Sequence, residues 1–297
     1  MSAVEGRLPF CGHEVWYRVV GDAEERGKLP VLLLHGGPGA THDYLESLEA
    51  LAGTGRRAIF YDQLGCGQSD LPEDPSLYTV ELFVDEVGTV RRELGLDRIH
   101  LFGSSWGGML AMEYALTQPP GLASLVLASS PASIPQWVAE TGRLRAQLPE
   151  DVQETLSRHE EAGTTDLQEY EDACLVFYKR HVCRLDEWPE YVLRSFDFIQ
   201  RHGLVYGTMN GPSEFHVTGT LREWDVTERL GEIRVPTLVP TGEYDEATPA
   251  INRTVTEGIP GARSVILPGC SHMAHVEDPE GYIRLLDGFF SEVEANP

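Results

Sequence analysis

The chain has 297 residues, enough for one large α/β domain or a core with an insert, and its 41% hydrophobic content is that of a globular protein. A formal net charge of −24 argues against nucleic acid and anionic membrane as partners. No run of about 18 apolar residues offers a membrane span, and Met1 to Arg7 lacks the basic and apolar regions of a secretory signal, so a cytoplasmic location is expected.

Taken in chain order, Arg7–Phe10 and Val15–Val20 read as strands on either side of Cys11-Gly12. Val31–Leu34 is apolar at consecutive positions, the mark of a strand covered on both faces in a parallel sheet. Ala58–Phe60, Leu125–Leu127, Thr237–Pro240 and Ser264–Leu267 continue the series. Phe83, Val87, Val90 and Leu94 fall at helical spacing, as do Tyr282, Leu285, Leu286, Phe289, Phe290 and Val293 near the end. Strand and helix thus alternate over about 29–130 and again from about 235, which predicts an α/β fold: a mostly parallel sheet flanked by helices. Between them the text is rich in Glu, Arg and Tyr, with helices expected over Asp151–His159, Asp166–Arg180 and Trp188–Arg201. The expected division is therefore a core of residues 1–133 and 213–297, with a helical cap at 134–212 inserted as a lid. Cys11, Cys66, Cys174, Cys183 and Cys270 are scattered and odd in number, without a Cys-x-x-Cys pair, and read as reduced thiols.

Gly103-Ser104-Ser105-Trp106-Gly107 follows the apolar run Ile99–Phe102. Gly-x-Ser-x-Gly between strand and helix specifies a sharp turn that lifts the serine out of the chain, with glycines where side chains would collide. The pattern alone is common, so partners are needed. A serine hydroxyl requires a base, and the base an orienting carboxylate; on this architecture they follow in the order serine, acid, histidine, at the carboxyl ends of strands. Asp245, after the strand ending at Pro240, is the expected acid, with Glu243 and Glu246 as weaker rivals. His272, after the strand ending at Leu267, is the expected base, with His275 as its rival. The glycine-rich turn His35-Gly36-Gly37-Pro38-Gly39 would aim the Gly37 N–H at a developing oxyanion beside the Trp106 N–H. Neither phosphate-binding glycine pattern occurs, and no dense His/Cys/carboxylate cluster suggests a metal.

That turn, the run Asp62-Gln63-Leu64-Gly65-Cys66-Gly67-Gln68-Ser69 and Gly103-Ser104-Ser105-Trp106-Gly107-Gly108 together resemble the proline iminopeptidase family of α/β-hydrolases. The likeness continues through the Asp245 and His272 segments. Met209-Asn210-Gly211-Pro212-Ser213-Glu214-Phe215 is similar to the branch that holds the tricorn-interacting aminopeptidases and amino-acid amidases. In that branch a glutamate after Asn-Gly-Pro-x, and the one following the catalytic aspartate, bind the free α-ammonium; carried over, these are Glu214 and Glu246. The resemblance implies an α/β-hydrolase fold and a serine hydrolase without cofactor or metal. It would release N-terminal residues, proline or other and mainly apolar, from short peptides or amino-acid amides through an acyl-enzyme.

Leu64 stands where many strict members carry arginine, and their cap Trp-Glu motif is not found, so a broader preference is expected. The alternative is an amidase, esterase or lactonase acting on a small metabolite in a biosynthetic pathway. A silent binding module on this fold would require a broken triad, and the sequence shows none. Related hydrolases with an aspartate nucleophile are disfavoured by Ser105. The oligomeric state is left open.

Overall fold

The computed structural model describes residues 2–296. Eight strands form one sheet: β1 (Ala3–Phe10), β2 (His13–Val20), β3 (Val31–Leu34), β4 (Ala58–Tyr61), β5 (Ile99–Ser104), β6 (Leu122–Ala128), β7 (Thr237–Gly242) and β8 (Arg263–Leu267). Their spatial order is β1-β2-β4-β3-β5-β6-β7-β8. The first two make an antiparallel hairpin through Cys11-Gly12, and β2 runs antiparallel to β4; every later pairing is parallel.

The consecutive apolar run of β3 divides as its pleat requires. Leu32 and Leu34 enter one core with Ile59, Leu101 and Trp106, whereas Val31 and Leu33 enter the opposite core with Phe60, Phe102 and Val126. The first face is covered by α1 (Val80–Glu93) and α2 (Trp106–Leu116). Thr79 caps α1 by accepting from the Leu82 N–H at 3.2 Å, and Phe83, Val87 and Val90 are its buried stripe. One strand departs from expectation: β8 is the sheet edge, and Ile266 is 40% exposed rather than covered on both faces.

After β6 come α3 (Ile134–Arg145), α4 (Glu150–Ala162), α5 (Gln168–His181), α6 (Glu190–Arg201) and α7 (Leu204–Met209). They hold a small core of their own, in which Leu148, Leu156, Tyr170, Phe177 and Phe215 are buried together. The chain then returns through β7, α8 (Pro249–Gly258), β8, the short α9 (Ala274–Glu277) and α10 (Pro279–Ala295). Leu286 and Phe290 of α10 close the second face with the 3-10 segment His42–Thr54. No helix among the described residues is long and apolar enough to cross a membrane.

Candidate active site

β5 ends at Ser104 and α2 begins at Trp106, leaving Ser105 alone between them at φ 56°, ψ −122°. A side-chain-bearing residue held there costs about 1–3 kcal/mol, a strain that clusters at functional sites. The turn closes because its neighbours lack side chains: a Cβ on Gly103 would strike the Gly107 backbone, and one on Gly107 the Leu34 carbonyl. The Ser105 N–H donates to the Ala128 carbonyl at 2.9 Å, while its own carbonyl accepts from Gly108 and Met109. Its hydroxyl has no hydrogen-bond partner among the described residues and faces a narrow cavity of about 50 Å³, whose walls include Gly37, Glu214, Glu246 and His272.

Asp245 follows β7 and His272 follows β8, at the carboxyl ends where open α/β sheets place their ligands. His272 Nδ1 lies 2.8 Å from Asp245 Oδ1. That carboxylate is held in turn by the Ala247 N–H at 2.8 Å and the Gly242 N–H at 3.3 Å. An N–H on Nδ1 facing the carboxylate leaves Nε2 free to accept a proton. Burial, the largest single effect, lowers the affinity of His272 for a proton, but the Asp245 carboxylate with Glu214 and Glu277 together outweigh it and the pKa is raised above 6.5.

Two of the rivals, His275 and Glu243, lie elsewhere. His275 meets Ser47 Oγ through Nδ1 at 3.0 Å and packs between Tyr44 and Tyr282, and burial drives its pKa down to about 3. Glu243 accepts from the Gly269 N–H at 2.9 Å.

Gly37 sits at φ 111°, where a side chain would be strained and a Cβ would also press on the Ala40 nitrogen at 2.6 Å. Neither its N–H nor that of Trp106 has an acceptor among the described residues. The two motifs around this turn form one hydrogen-bonded frame. Gln63 accepts from Trp106 Nε1 at 2.8 Å and donates through Nε2 to the His35 carbonyl at 2.9 Å. Its backbone N–H donates to His35 Nε2 at 3.0 Å, and His35 Nδ1 donates to the Gly36 carbonyl at 3.0 Å. Burial lowers His35 to about 4, so it is neutral and suited to both roles. Asp62 accepts from the His42 N–H and Nδ1 at 2.8 and 2.9 Å and from the Gln68 N–H at 2.9 Å. Gln63 therefore joins the glycine turn to the first residue of α2. Gln63→Leu is expected to lower kcat about tenfold and leave KM within about twofold. An unchanged kcat in steady-state assays would remove Gln63 from this positioning role.

Beside His272 stands a buried carboxyl group. Glu246 is 1% exposed and neither of its carboxylate oxygens has a hydrogen-bond partner. Its Oε1 lies 3.6 Å from His272 Nδ1. Glu214 lines the same cavity and accepts from Tyr206 Oη at 2.6 Å, while its backbone carbonyl accepts from Trp137 Nε1 at 2.6 Å. Burial raises the pKa of both carboxyls, and Glu214 and Asp245 push Glu246 further up. Two such groups beside one cavity have the chemistry to receive a cation that can donate hydrogen bonds.

Tyr206, Trp137 and the Tyr178 that walls the cavity were not singled out from the sequence. Scattered aromatics in a helical segment read as core, and only the fold shows which of them face a carboxylate. The same holds for His181 at the end of α5: its carbonyl accepts from the Glu246 N–H at 3.3 Å and the His272 N–H at 3.1 Å, and Val182 next to it accepts from Met273 at 2.9 Å.

His42, Asp43 and Glu46 bring ligand atoms within 4.8 Å of one another, a spacing a metal could use. However, Arg194 already donates to Asp43 at 2.8 Å and to Glu46, and Asp62 holds the histidine.

The family described as alpha/beta hydrolase fold matches residues 30–279. A proline iminopeptidase of Thermoplasma volcanium is 38% identical over 289 residues, covering 97% of each chain. The crystal structure of VinJ superposes with a TM-score of 0.95 at 46% identity, over 98% of this chain and 99% of that one. The proline iminopeptidase of Mycobacterium smegmatis superposes at 0.92 with 43% identity, over 99% of each chain.

Proposed function

Because the chain belongs to the alpha/beta hydrolases and, among them, to the proline iminopeptidase family, we propose that it releases N-terminal residues, proline foremost, by serine-dependent acyl transfer to water. The observation that carries the reading is the buried, partnerless Glu246 beside His272 and across the cavity from Ser105. It calls for a substrate whose ammonium lies one carbon from the carbonyl attacked.

In this mechanism Ser105 Oγ attacks that carbonyl as His272 Nε2 takes its proton. Asp245 fixes the imidazole and stabilises its cationic form. The Gly37 and Trp106 N–H groups receive the oxyanion; losing one such donor costs about 100- to 1000-fold in rate. His272 delivers the proton to the leaving amine, and water then releases the acyl group through the same base. Glu214 and Glu246 hold the α-ammonium, and the helices of 134–212 act as the cap that confines the substrate. Neither a metal nor a cofactor enters these steps. The partner is a small peptide or amino-acid amide rather than nucleic acid or membrane. The five unpaired cysteines suit a reducing compartment, and we assign the chain to the cytoplasm.

Prolyl 4-nitroanilide, its N-acetylated form and a simple aryl ester separate this reading from an esterase or lactonase. Cleavage of the free-amine substrate well above its acetylated form is expected; equal rates would overturn the reading. The pH profile is a second check. His272 must be neutral to act as base, and its pKa is raised above 6.5. The acid limb of kcat/KM on the aryl ester is therefore expected to have its midpoint above pH 6.5, with activity lost as pH falls through it. A midpoint at or below that value would contradict the role of Asp245.

A further inference from the structure

A second cavity of about 740 Å³ opens through the helical segment between α5 and α6. Tyr178, Phe196, Ile199 and Glu214 wall both this cavity and the chamber around Ser105, so the two adjoin across these side chains. The substrate's orientation in that chamber is fixed at two points on the reading above: the ammonium at Glu214 and Glu246, the carbonyl at Ser105. A third recess, lined by Trp106, Met109, Ile134, Trp137 and Leu221, holds only about 10 Å³, room for about one water-sized group. The large cavity is the roomy space that adjoins the chamber, next to where the part of the substrate beyond the scissile bond would lie. Its volume lies within the range of about 300–1,000 Å³ that takes ligands of drug or short-peptide size.

The lining states the chemistry. Leu175, Trp188, Leu193, Phe196 and Ile199 give it an apolar floor. Leu175 and Leu193 remain 38% and 51% exposed, so the apolar surface reaches the mouth. Asp166, Glu171, Asp172, Asp197 and Glu214 are its carboxyl-bearing wall residues, and no lysine or arginine among the described residues lines it. Some of these carboxylates have partners: Gln200 donates to Glu171 at 2.9 Å from the opposite helix, Gln168 to Asp172 at 3.0 Å, and Arg201 pairs with Asp197 at 2.9 Å. Arg201 is the one cation among those partners, so the groove keeps a negative balance.

We propose that this groove binds the leaving portion of the substrate and that it takes an extended, apolar peptide tail without negative charge. The inference rests on the aminopeptidase reading and deepens it. Apolar residues gain by burial against the groove, while a carboxylate on the tail would enter a negative field with no basic side chain on its walls to meet it.

Prolinamide, Pro-Leu-Leu-Leu-amide and Pro-Glu-Leu-Glu-amide test it on the full-length enzyme. The apolar peptide is expected to exceed both prolinamide and the acidic peptide in kcat/KM by about tenfold or more. Leu193→Asp, a change at an exposed position, is expected to lower the ratio of apolar peptide to prolinamide at least about fivefold. A peptide-to-amide ratio of about two or less, acidic and apolar peptides cleaved alike, or a ratio unmoved by Leu193→Asp would each overturn the subsite. Failure to cleave prolinamide and both peptides, with the aryl ester still hydrolysed, would overturn the aminopeptidase reading and the subsite with it.

Discussion

Ser105→Ala is expected to reduce kcat/KM on prolyl 4-nitroanilide by about 10⁴-fold or more and to leave stability within about 0.5 kcal/mol. The two halves of the expectation come from different features of the turn. The hydroxyl makes no hydrogen bond in the resting structure, so removing it strands no partner. Alanine keeps the Cβ, so the strained φ of 56° is carried equally by both proteins. The proposed chemistry has no such tolerance, because in it Ser105 supplies the bond that divides the reaction into acylation and deacylation. What remains should be the smaller contribution of the oxyanion donors and of binding. Labelling with a fluorophosphonate probe, read beside a melting curve, separates loss of the nucleophile from loss of the fold. A variant labelled as fast as the parent would end the assignment of Ser105.

Glu246→Gln is expected to lower kcat/KM on the free-amine anilide about 100-fold, and that on an aryl ester no more than about threefold, both on the plateau above the acid limb of the pH profile. The loss arises because an amide replaces a buried charge that otherwise has no partner, so the ammonium loses its counterion. The same change should stabilise the empty enzyme. Burial, then the neighbouring Glu214 and Asp245, raise the Glu246 pKa well above 4.5. Between the unfolded value and the raised one the folded state binds more protons, so rising pH through that window costs stability. The gain in Tm for Glu246→Gln is thus expected above the window and should vanish as pH falls to 4.5. Equal losses on anilide and ester would take Glu246 out of the amine site, and a Tm difference that did not grow as pH rises above 4.5 would contradict the raised pKa.

Where function rests on local backbone shape it could be read directly. Val31–Leu34 coincides with β3, and Gly103 to Gly107 has the strand-turn-helix form its glycines require. Asp245 and His272 were placed by chain order and strand ends, and the 2.8 Å contact between them joins segments 27 residues apart. Other parts left no local trace. α3 went unread although Ser133 caps it through the Gln136 N–H, since its residues carry no strong stripe. The helical pattern in His42–Thr54 also passed unremarked, and that segment winds as 3-10. The exposure of Ile266 depends on β8 having a neighbour on one side only, a fact of sheet order. Above all, the isolation of Glu246 is a property of what fails to surround it. The sequence supplies the carboxylate, but only packing shows that nothing answers it.

The His181 carbonyl, shared between the backbones of Glu246 and His272, bears on how such enzymes can diversify. With Val182 gripping Met273, the end of α5 is stitched to the loops that carry His272 and Glu246. The helical insert is consequently a poor unit of exchange. Transplanting another insert wholesale would have to recreate this seam to the ångström before any new preference could appear. Side chains facing the groove, such as Leu175 and Leu193, carry no such obligation. Change in taste should accumulate there, one residue at a time, while the seam stays as it is.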